Sequence, residues 1–278
     1  MSLNIDVNPE TNPIEVLYIF GAGHCGSTLL NICLDQHSSI IGVSEIRSLN
    51  RKHPGWSGDE YALDNKFWSK VDLMMLEKYG VGLKEVNFNL NTLLQSNDFN
   101  LNQNKLVFET ILDLAGKRII SDASKIPNRL ENLLNSKLFK VRVIYLVRDG
   151  RAIVHAYRRK YGHWLTGWKN LMGIDRAAKR LMKNYGSDNW LTIRYEDMVT
   201  DLEGTLKKIC SFNKVNFESQ MLLPDTSKFN GLGGNRIRRY PIKDIKLDTA
   251  WKTEMSTLMR VLTTLTVSSF NRRHGYID

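Results

Sequence analysis

Short apolar runs alternate with amphipathic stretches along most of the chain. The apolar runs have the length of buried strands and predict β-structure at residues 16–20, 40–43, 118–121, 141–147 and 191–195. The amphipathic stretches predict helices at 27–36, 127–136, 151–159, 174–185 and 201–212. Strands that alternate with helices favour an α/β fold with a parallel, doubly wound sheet. Residues 51–105 fit this alternation least and are interpreted as helical insertions over one end of the sheet, which either shape a substrate pocket or are only structural.

Composition adds limits to this picture. The 278 residues are 42% hydrophobic, which suits a single domain over 1–278 with a flexible start at 1–14. No apolar run approaches the ~20 residues of a membrane helix, and the polar N-terminus lacks an apolar signal segment, so a cytoplasmic protein without a membrane segment is expected. The three cysteines do not suggest a disulfide framework. The net charge of +10 favours an anionic partner, whether nucleic acid, an acidic membrane or a phosphorylated or sulfated ligand.

A glycine loop at 21–26 joins the first predicted strand to the first predicted helix, within the stretch FGAGHCGSTLLNICL. Strand, glycine loop and helix together can cradle a phosphate group. The letters GAGHCG fit the dinucleotide pattern G-x-G-x-x-G, with Glu45 about 20 residues further on for a ribose hydroxyl. The same letters followed by Ser27 and Thr28 fit a Walker A loop whose lysine is replaced by serine.

The Walker-like interpretation explains more of this loop. Backbone N–H groups of residues 23–28 at a helix N-terminus favour a phosphate. Without the lysine and an acidic strand for Mg²⁺, a nucleoside triphosphate is a poor candidate, whereas a single 5′-phosphate needs neither. The candidate ligands of that phosphate are Gly23, His24, Cys25, Gly26, Ser27 and Thr28.

A second anion site is predicted where the strand at 141–147 ends. Arg148 follows this strand directly, and Arg158, Arg159 and Lys160 come one predicted helix later. An arginine at the carboxyl end of a central strand faces the ligand crevice of an open α/β sheet, and it can hold a phosphate through two parallel hydrogen bonds. Binding of a dinucleotide does not require this second anion site, whereas binding of a nucleotide that carries both a 5′- and a 3′-phosphate does.

Four segments, in order, resemble the sulfotransferases that use 3′-phosphoadenosine 5′-phosphosulfate (PAPS). GAGHCGSTLL resembles their 5′-phosphosulfate loop, and LVRDGRAIVHAYRRK their 3′-phosphate segment. IRYEDMVTDLEGTLKKICSF resembles their Tyr-Glu-Asp strand end, and GLGGNRIRRYPIKDIKLDTAW their late loop over the nucleotide. The closest pattern is that of tyrosylprotein sulfotransferases and related bacterial enzymes. The resemblance implies a P-loop NTPase-like three-layer sandwich with a central parallel sheet and helical insertions.

The resemblance also implies roles for individual residues. It implies in-line, metal-independent transfer of a sulfuryl group from PAPS to a hydroxyl acceptor, which is a carbohydrate, a peptide tyrosine or a small molecule. By position in the family's motifs, Glu45 is the base that takes the acceptor's proton, and Lys125 stabilises the transition state together with His24. The other implied nucleotide contacts are Arg148 and Lys160 for the 3′-phosphate, Tyr195 near the adenine, and Asn235 and Arg238 at the closing loop.

Two residues depart from the family pattern. His24 stands where the family has arginine or lysine, and an imidazole with an ordinary pKa of ~6.5 is only partly charged at pH 7. An adjacent phosphate is expected to favour its charged form, so that turnover falls with rising pH. His24 as the base, oriented by Glu45, stays open. Ala156 stands where the family usually has a serine that contacts the 3′-phosphate.

Two other classes of function stay open from the residues alone. An NAD(P)-dependent oxidoreductase would use the glycine loop for its cofactor but leaves the cluster around Arg148 unexplained. A basic nucleic-acid-binding protein needs aromatic residues among its cations, for which Tyr157 and Tyr161 are the candidates. The resemblance favours neither, so no nucleic-acid partner is expected.

Overall fold

Five parallel strands form the central sheet of the computed structural model, which describes residues 12–49, 52–53, 60–88, 90 and 98–276. In chain order the strands are β1 (Ile14–Phe20), β2 (Ile40–Ser44), β3 (Lys52–His53), β4 (Glu60–Tyr61), β5 (Ile119–Asp122), β6 (Phe139–Val147) and β7 (Trp190–Arg194). The sheet order is β2-β5-β1-β6-β7, and β3 pairs with β4 in a separate antiparallel ladder. The first strand of the chain therefore lies at the centre of the sheet.

Helices follow the strands and flank the sheet. They are α1 (Ser27–Asp35), α2 (Lys66–Tyr79), α3 (Asp98–Ala115), α4 (Pro127–Asn135), α5 (Gly150–Tyr161), α6 (Trp164–Tyr185), α7 (Tyr195–Thr200), α8 (Leu202–Phe212), α9 (Ala250–Glu254) and α10 (Thr257–Arg273). Side chains cap several starts: those of Asn65, Asp149 and Asp201 accept backbone N–H groups of α2, α5 and α8. Within the described part of the chain, no helix is long and apolar enough to cross a membrane.

The apolar runs become the central strands because both faces of the sheet are covered. Every residue of β1 except Glu15 is buried, and every residue of β6 except Lys140. The two strands pair in parallel over seven positions, from Ile14 opposite Phe139 to Phe20 opposite Tyr145. This register brings the carboxyl ends of β1 and β6 side by side, where the site residues follow.

The sequence predicted the fold class and all five strands of the central sheet correctly, with shifts of a few residues at their ends. Two boundaries were wrong: Tyr195 does not end a strand but begins α7, and α6 begins at Trp164 rather than at 174. The expected insertion contains α2 and the start of α3, while residues 54–59 and 91–97 lie outside the described part. The expectation of a flexible start lies outside it as well up to residue 11, and Ile14 is already in β1.

Candidate active site

The carboxyl ends of all five parallel strands meet around one cavity of about 530 Å³. Each strand contributes a lining element: the glycine loop (21–26) follows β1, Glu45 follows β2, Lys125 follows β5, Arg148 follows β6 and Tyr195 follows β7. Ligands of open α/β sheets bind at this edge, close to the point where the strand order reverses. The sheet therefore brings together residues that are up to 174 positions apart in the sequence, from Gly21 to Tyr195.

The glycines of the loop are required by close contacts with two aromatic side chains. A β-carbon on Gly23 would lie 2.3 Å from the Tyr157 hydroxyl oxygen. A β-carbon on Gly26 would lie 2.5 Å from the ring of Tyr195, and Gly26 has a left-handed backbone with φ of +98°. The loop thus lies directly against the cavity's aromatic residues and leads into the N-terminus of α1, whose partial positive charge favours an anion.

Glu45 and Lys125 form an ion pair at the inner end of the cavity. Glu45 Oε1 lies 2.9 Å from Lys125 Nζ, and Glu45 Oε2 accepts a hydrogen bond of 3.1 Å from Arg47. Burial favours a higher pKa for Glu45, but the charges of Lys125 and Arg47 outweigh it and hold the pKa below its ordinary value. Burial likewise favours a lower pKa for Lys125, yet Glu45 holds it above the ordinary value. Both groups are therefore charged at neutral pH.

Lys125 also links this pair to the glycine loop. Its Nζ donates a hydrogen bond of 3.1 Å to the hydroxyl oxygen of Ser27, the first residue of α1. The backbone of Lys125 is left-handed, with φ of +58°. The turn before it is held by Asp122, which accepts the N–H of Ser124 at 2.8 Å through Oδ1.

Asp122 in turn binds a buried arginine, and this network was not predicted. Arg129 Nε donates to Asp122 Oδ2 at 2.9 Å, and both side chains are fully buried. Arg129 Nη1 also donates to the carbonyl of Phe88 and to Asn104 Oδ1. The network thereby connects α3 and the segment before it to the turn that presents Lys125. The sequence gives only a weak sign of this network, namely an arginine, Arg129, near the start of the amphipathic helix predicted at 127–136.

Arg148 also lines the cavity. Its Nη1 donates to the carbonyl oxygen of His24 at 2.9 Å, and its guanidinium stacks 4.4 Å above the ring centroid of Tyr195. Its Nη2 lies 3.0 Å from the carboxylate of Asp248. Its Nε is buried and has no hydrogen-bond partner among the described residues. A planar guanidinium that lines a cavity fits a phosphate as its ligand.

His24 differs most from the sequence-based expectation. Its ring packs edge-on against Tyr157, with centroids 5.0 Å apart, and contacts Tyr161 at 5.9 Å. Burial, together with the positive charges of Lys160, Lys125 and others, lowers its pKa to about 4. The imidazole therefore favours its neutral form when no nucleotide is bound, and the expectation that an adjacent phosphate favours the charged form stays a prediction. Its backbone is also left-handed, with φ of +66°.

The remaining loop residues divide between the cavity and the core. The thiol of Cys25 is buried against the interior, and burial raises its pKa. Its backbone N–H donates to the carbonyl of Ala22 at 3.3 Å, and Cys25 is not among the residues that line the cavity. The hydroxyl of Thr28 accepts the N–H of Asn235 at 2.9 Å, which fixes the late loop onto the start of α1. Asn235 and Lys160 line the cavity, whereas Arg238 is not among its lining residues.

The lining residues that were not predicted include Tyr157, Asn170 and Asp248. Asn170 Oδ1, from α6, accepts the N–H of Gly23 at 2.9 Å and so fixes the glycine loop. Tyr157 was considered only as a base-stacking residue. No local pattern marks these positions, because each acts through a contact distant in sequence. Ala156 lines the cavity as well and brings no hydroxyl to it.

The parallel sheet, the glycine loop before α1 and the cation-lined cavity define a protein of P-loop-like fold. Residues 17–219 match the sulfotransferase family, and the chain belongs to this family. A search of curated protein sequences found no match.

Solved structures agree on the fold. The sulfotransferase domain of the Synechococcus PCC 7002 olefin synthase is 20% identical, with a TM-score of 0.60, over 94% of this chain and 97% of that one. The sulfotransferase domain from the curacin biosynthetic pathway is 16% identical, with a TM-score of 0.57, over 93% and 99%. Sulfotransferase STF9 from Mycobacterium avium is 12% identical, with a TM-score of 0.52, over 96% and 77%. At these identities the similarity concerns the fold.

Proposed function

We propose that this protein transfers a sulfuryl group from PAPS to a hydroxyl acceptor and releases 3′,5′-adenosine bisphosphate. The observation that carries the proposal is the charged pair of Glu45 and Lys125 beside the N-terminus of α1, 2.9 Å apart, in one cavity with Arg148. Membership of the sulfotransferase family supports it. The same membership favours sulfuryl transfer over the oxidoreductase and nucleic-acid-binding alternatives.

The cavity has the features that a doubly phosphorylated nucleotide requires. The glycine loop and the N-terminus of α1 would hold the 5′-phosphosulfate, and Arg148 with Lys160 the 3′-phosphate. Tyr195, stacked against Arg148, fixes the orientation of the guanidinium. When bound, PAPS supplies the activated sulfuryl group.

Glu45 and Lys125 would carry the chemistry. Glu45 is ionised at neutral pH because its pKa is held low, so its carboxylate can accept the proton of the acceptor hydroxyl. Lys125 Nζ reaches both Glu45 and the hydroxyl of Ser27, a position from which a cation can stabilise negative charge developing at the N-terminus of α1. His24 is neutral without nucleotide and can donate a hydrogen bond there. As the alternative base it remains a candidate, and comparing Glu45→Gln with His24→Ala separates the two.

The acceptor would approach from the side of Tyr157 and Tyr161, which line the cavity and contact His24. Aromatic walls suit the flat or apolar face of a sugar, a tyrosine side chain or a phenol. A hydroxyl of one of these classes is proposed as the acceptor.

Calorimetric titration with 3′,5′-adenosine bisphosphate, 5′-AMP and NAD tests the donor site. We expect the bisphosphate to bind more tightly than 5′-AMP, and Arg148→Ala to weaken it by about ten- to a hundredfold, the value of a charge-assisted bidentate contact. Arg180→Ala is the matched control, because Arg180 forms an exposed two-contact pair with Glu131 outside the cavity. Radiolabelled PAPS then serves to screen acceptors.

Two results would overturn the proposal. One is binding of NAD with no binding of the bisphosphate, which would favour Glu45 as the residue that binds a ribose hydroxyl of a dinucleotide. The other is an Arg148→Ala variant that binds the bisphosphate as well as the native protein does, which would remove the 3′-phosphate site.

A further inference from the structure

The last helix carries an apolar stripe on its outer face. Leu258, Val261, Leu262 and Leu265 are between 48% and 69% exposed, the largest such group on one element of the described chain. Their spacing of three and four residues places them within about 100° of one another on the helix. The buried residues of α10, including Val267 and Phe270, lie on the opposite side. The stripe therefore plays no part in packing α10 onto the protein.

The start of α6 extends this stripe. Trp168 Nε1 donates to the carbonyl of Thr266, and Arg273 pairs with Asp175, both contacts joining residues 98 positions apart. The constant separation means that α6 and α10 run parallel, so that Trp164 lies at the level of Leu262 along the two axes. Trp164, Leu165 and Tyr161 are exposed there. We call the following residues the apolar surface: Tyr161, Trp164, Leu165, Leu258, Val261, Leu262 and Leu265.

The segments that carry the apolar surface are rich in basic residues. Residues 150–174 and 255–275 contain no aspartate or glutamate. Arg158, Lys160 and Lys169 are exposed within the first segment, and Arg260 is partly exposed on α10. The acidic residues that flank these segments are already engaged, since Glu254 pairs with His155 and Asp175 pairs with Arg273. The segments that carry the apolar surface are therefore basic, and the half-exposed Glu254 beside them is paired with His155 and Arg159.

Such a combination suits an anionic lipid bilayer better than a second copy of the chain. A two-fold dimer would set the same basic residues opposite one another, without carboxylates between them. A bilayer accepts leucine side chains into the interfacial region, places tryptophan and tyrosine at the headgroup level, and attracts lysine and arginine to its phosphates. We propose that the apolar surface binds the face of an anionic lipid bilayer.

This placement has a geometric consequence for the cavity. Tyr161 belongs to the apolar surface and also lines the cavity. Its neighbour Lys160 lines the cavity as well. A protein bound through the apolar surface would hold the cavity opening beside the lipid headgroups. The binding itself does not depend on the proposed reaction.

Vesicle sedimentation tests the proposal with the full chain. We expect binding to vesicles of phosphatidylglycerol and phosphatidylcholine in equal parts, much weaker binding to phosphatidylcholine alone, and release by high salt. Leu262→Ser and Leu265→Ser should each lower the partition coefficient about tenfold, the effect of withholding one leucine from an apolar environment. Leu73→Ser and Leu223→Ser are the matched controls, because both leucines are exposed elsewhere and should leave binding unchanged.

The basic contribution has its own pair of variants. Lys169→Gln with Arg260→Gln should weaken binding to the anionic vesicles by about tenfold or more, whereas Lys183→Gln, an exposed lysine near the far end of α6, should not. Titration with 3′,5′-adenosine bisphosphate should give the same affinity for all of these variants and for the native protein. A failure of vesicle binding is thereby distinguished from a failure of the donor site.

Three results would overturn the proposal. The first is a native protein that stays in the supernatant with anionic vesicles. The second is vesicle binding that the Leu262 and Leu265 variants retain. The third is a native dimer, seen by sedimentation velocity, that these variants dissociate, because the apolar surface would then be a contact between copies of the chain.

Discussion

The carboxylate of Asp248 occupies the position where the proposed 3′-phosphate would bind, 3.0 Å from Arg148 Nη2. A nucleotide must therefore displace it before it can use this arginine. Asp248→Asn removes the competing charge and keeps the Oδ1 atom that accepts the N–H of Ala250. We expect this variant to bind 3′,5′-adenosine bisphosphate more tightly than the native protein does.

The size of the gain follows from the exposure of the two partners. The side chain of Asp248 is 37% exposed, so solvent screens the pair strongly, whereas that of Arg148 is 7% exposed. Exposed ion pairs are worth about 0.2–1 kcal/mol, and the buried arginine places this one near the upper end. About 1 kcal/mol corresponds to roughly fivefold in Kd. Removing the repulsion between the carboxylate and the incoming phosphate acts in the same direction.

Calorimetry with two nucleotides isolates the effect. The affinity for the bisphosphate should rise about fivefold or more, and that for 5′-AMP should stay the same, because 5′-AMP has no 3′-phosphate. Asp244→Asn is the control, since Asp244 lies in the same segment and pairs only in an exposed position with Lys246. An unchanged or weaker affinity for the bisphosphate, or an equal gain for both nucleotides, would refute the reasoning.

Three further predictions follow from the same site. Glu45→Gln leaves Lys125 buried without its counter-charge. We expect this variant to lose sulfuryl transfer and to lower the free energy of unfolding in urea by about 3 kcal/mol. A free energy of unfolding equal to that of the native protein would contradict this pairing. Gly26→Ala places a β-carbon 2.5 Å from the Tyr195 ring, on a backbone whose φ is +98°. The free energy of unfolding, measured by thermal unfolding, should fall by about 2–4 kcal/mol, and a melting curve like that of the native protein would argue against the loop geometry. His24 should titrate near pH 4 in proton NMR of the free protein and at higher pH with the bisphosphate bound. Because the pKa of His24 in the folded protein lies below the unfolded value of 6.5, its contribution to stability is lost as pH falls from 6.5 towards 4. A titration midpoint of His24 near pH 6.5 in the free protein would be the contrary result.

Local patterns were sufficient for the sheet and for the first half of the site. The apolar runs of β1 and β6 predict buried parallel strands, and residues that directly follow such strands, Glu45 and Arg148, lie at the ligand edge by topology alone. The loop residues 23–28 were predicted from the glycine spacing. Their chemical roles, and that of Lys125, stay predictions.

Contacts between distant segments could not be predicted. Asp248 reaches Arg148 across 100 positions, and Asn170 reaches Gly23 across 147, and the motifs that contain Gly23, Arg148 and Asp248 do not indicate these pairings. The pKa of His24 depends on burial and on cations from other elements, and neither can be seen in the local sequence. The helix α10 was missed because apolar residues lie on both its inner and outer faces, which removes the periodic contrast that reveals an amphipathic helix.

His24 and Lys125 both have left-handed backbones, a conformation that lowers the stability of the folded protein when the residue has a β-carbon. A residue with a β-carbon gives up of order 1 kcal/mol in this conformation, and glycine does not. Glycine would also remove the two side chains on which the proposed reaction depends. At Lys125 this strain is smaller than the loss of about 3 kcal/mol that follows when a buried ion pair is broken, so selection for heat resistance alone would retain the lysine for its pairing with Glu45, independently of the reaction.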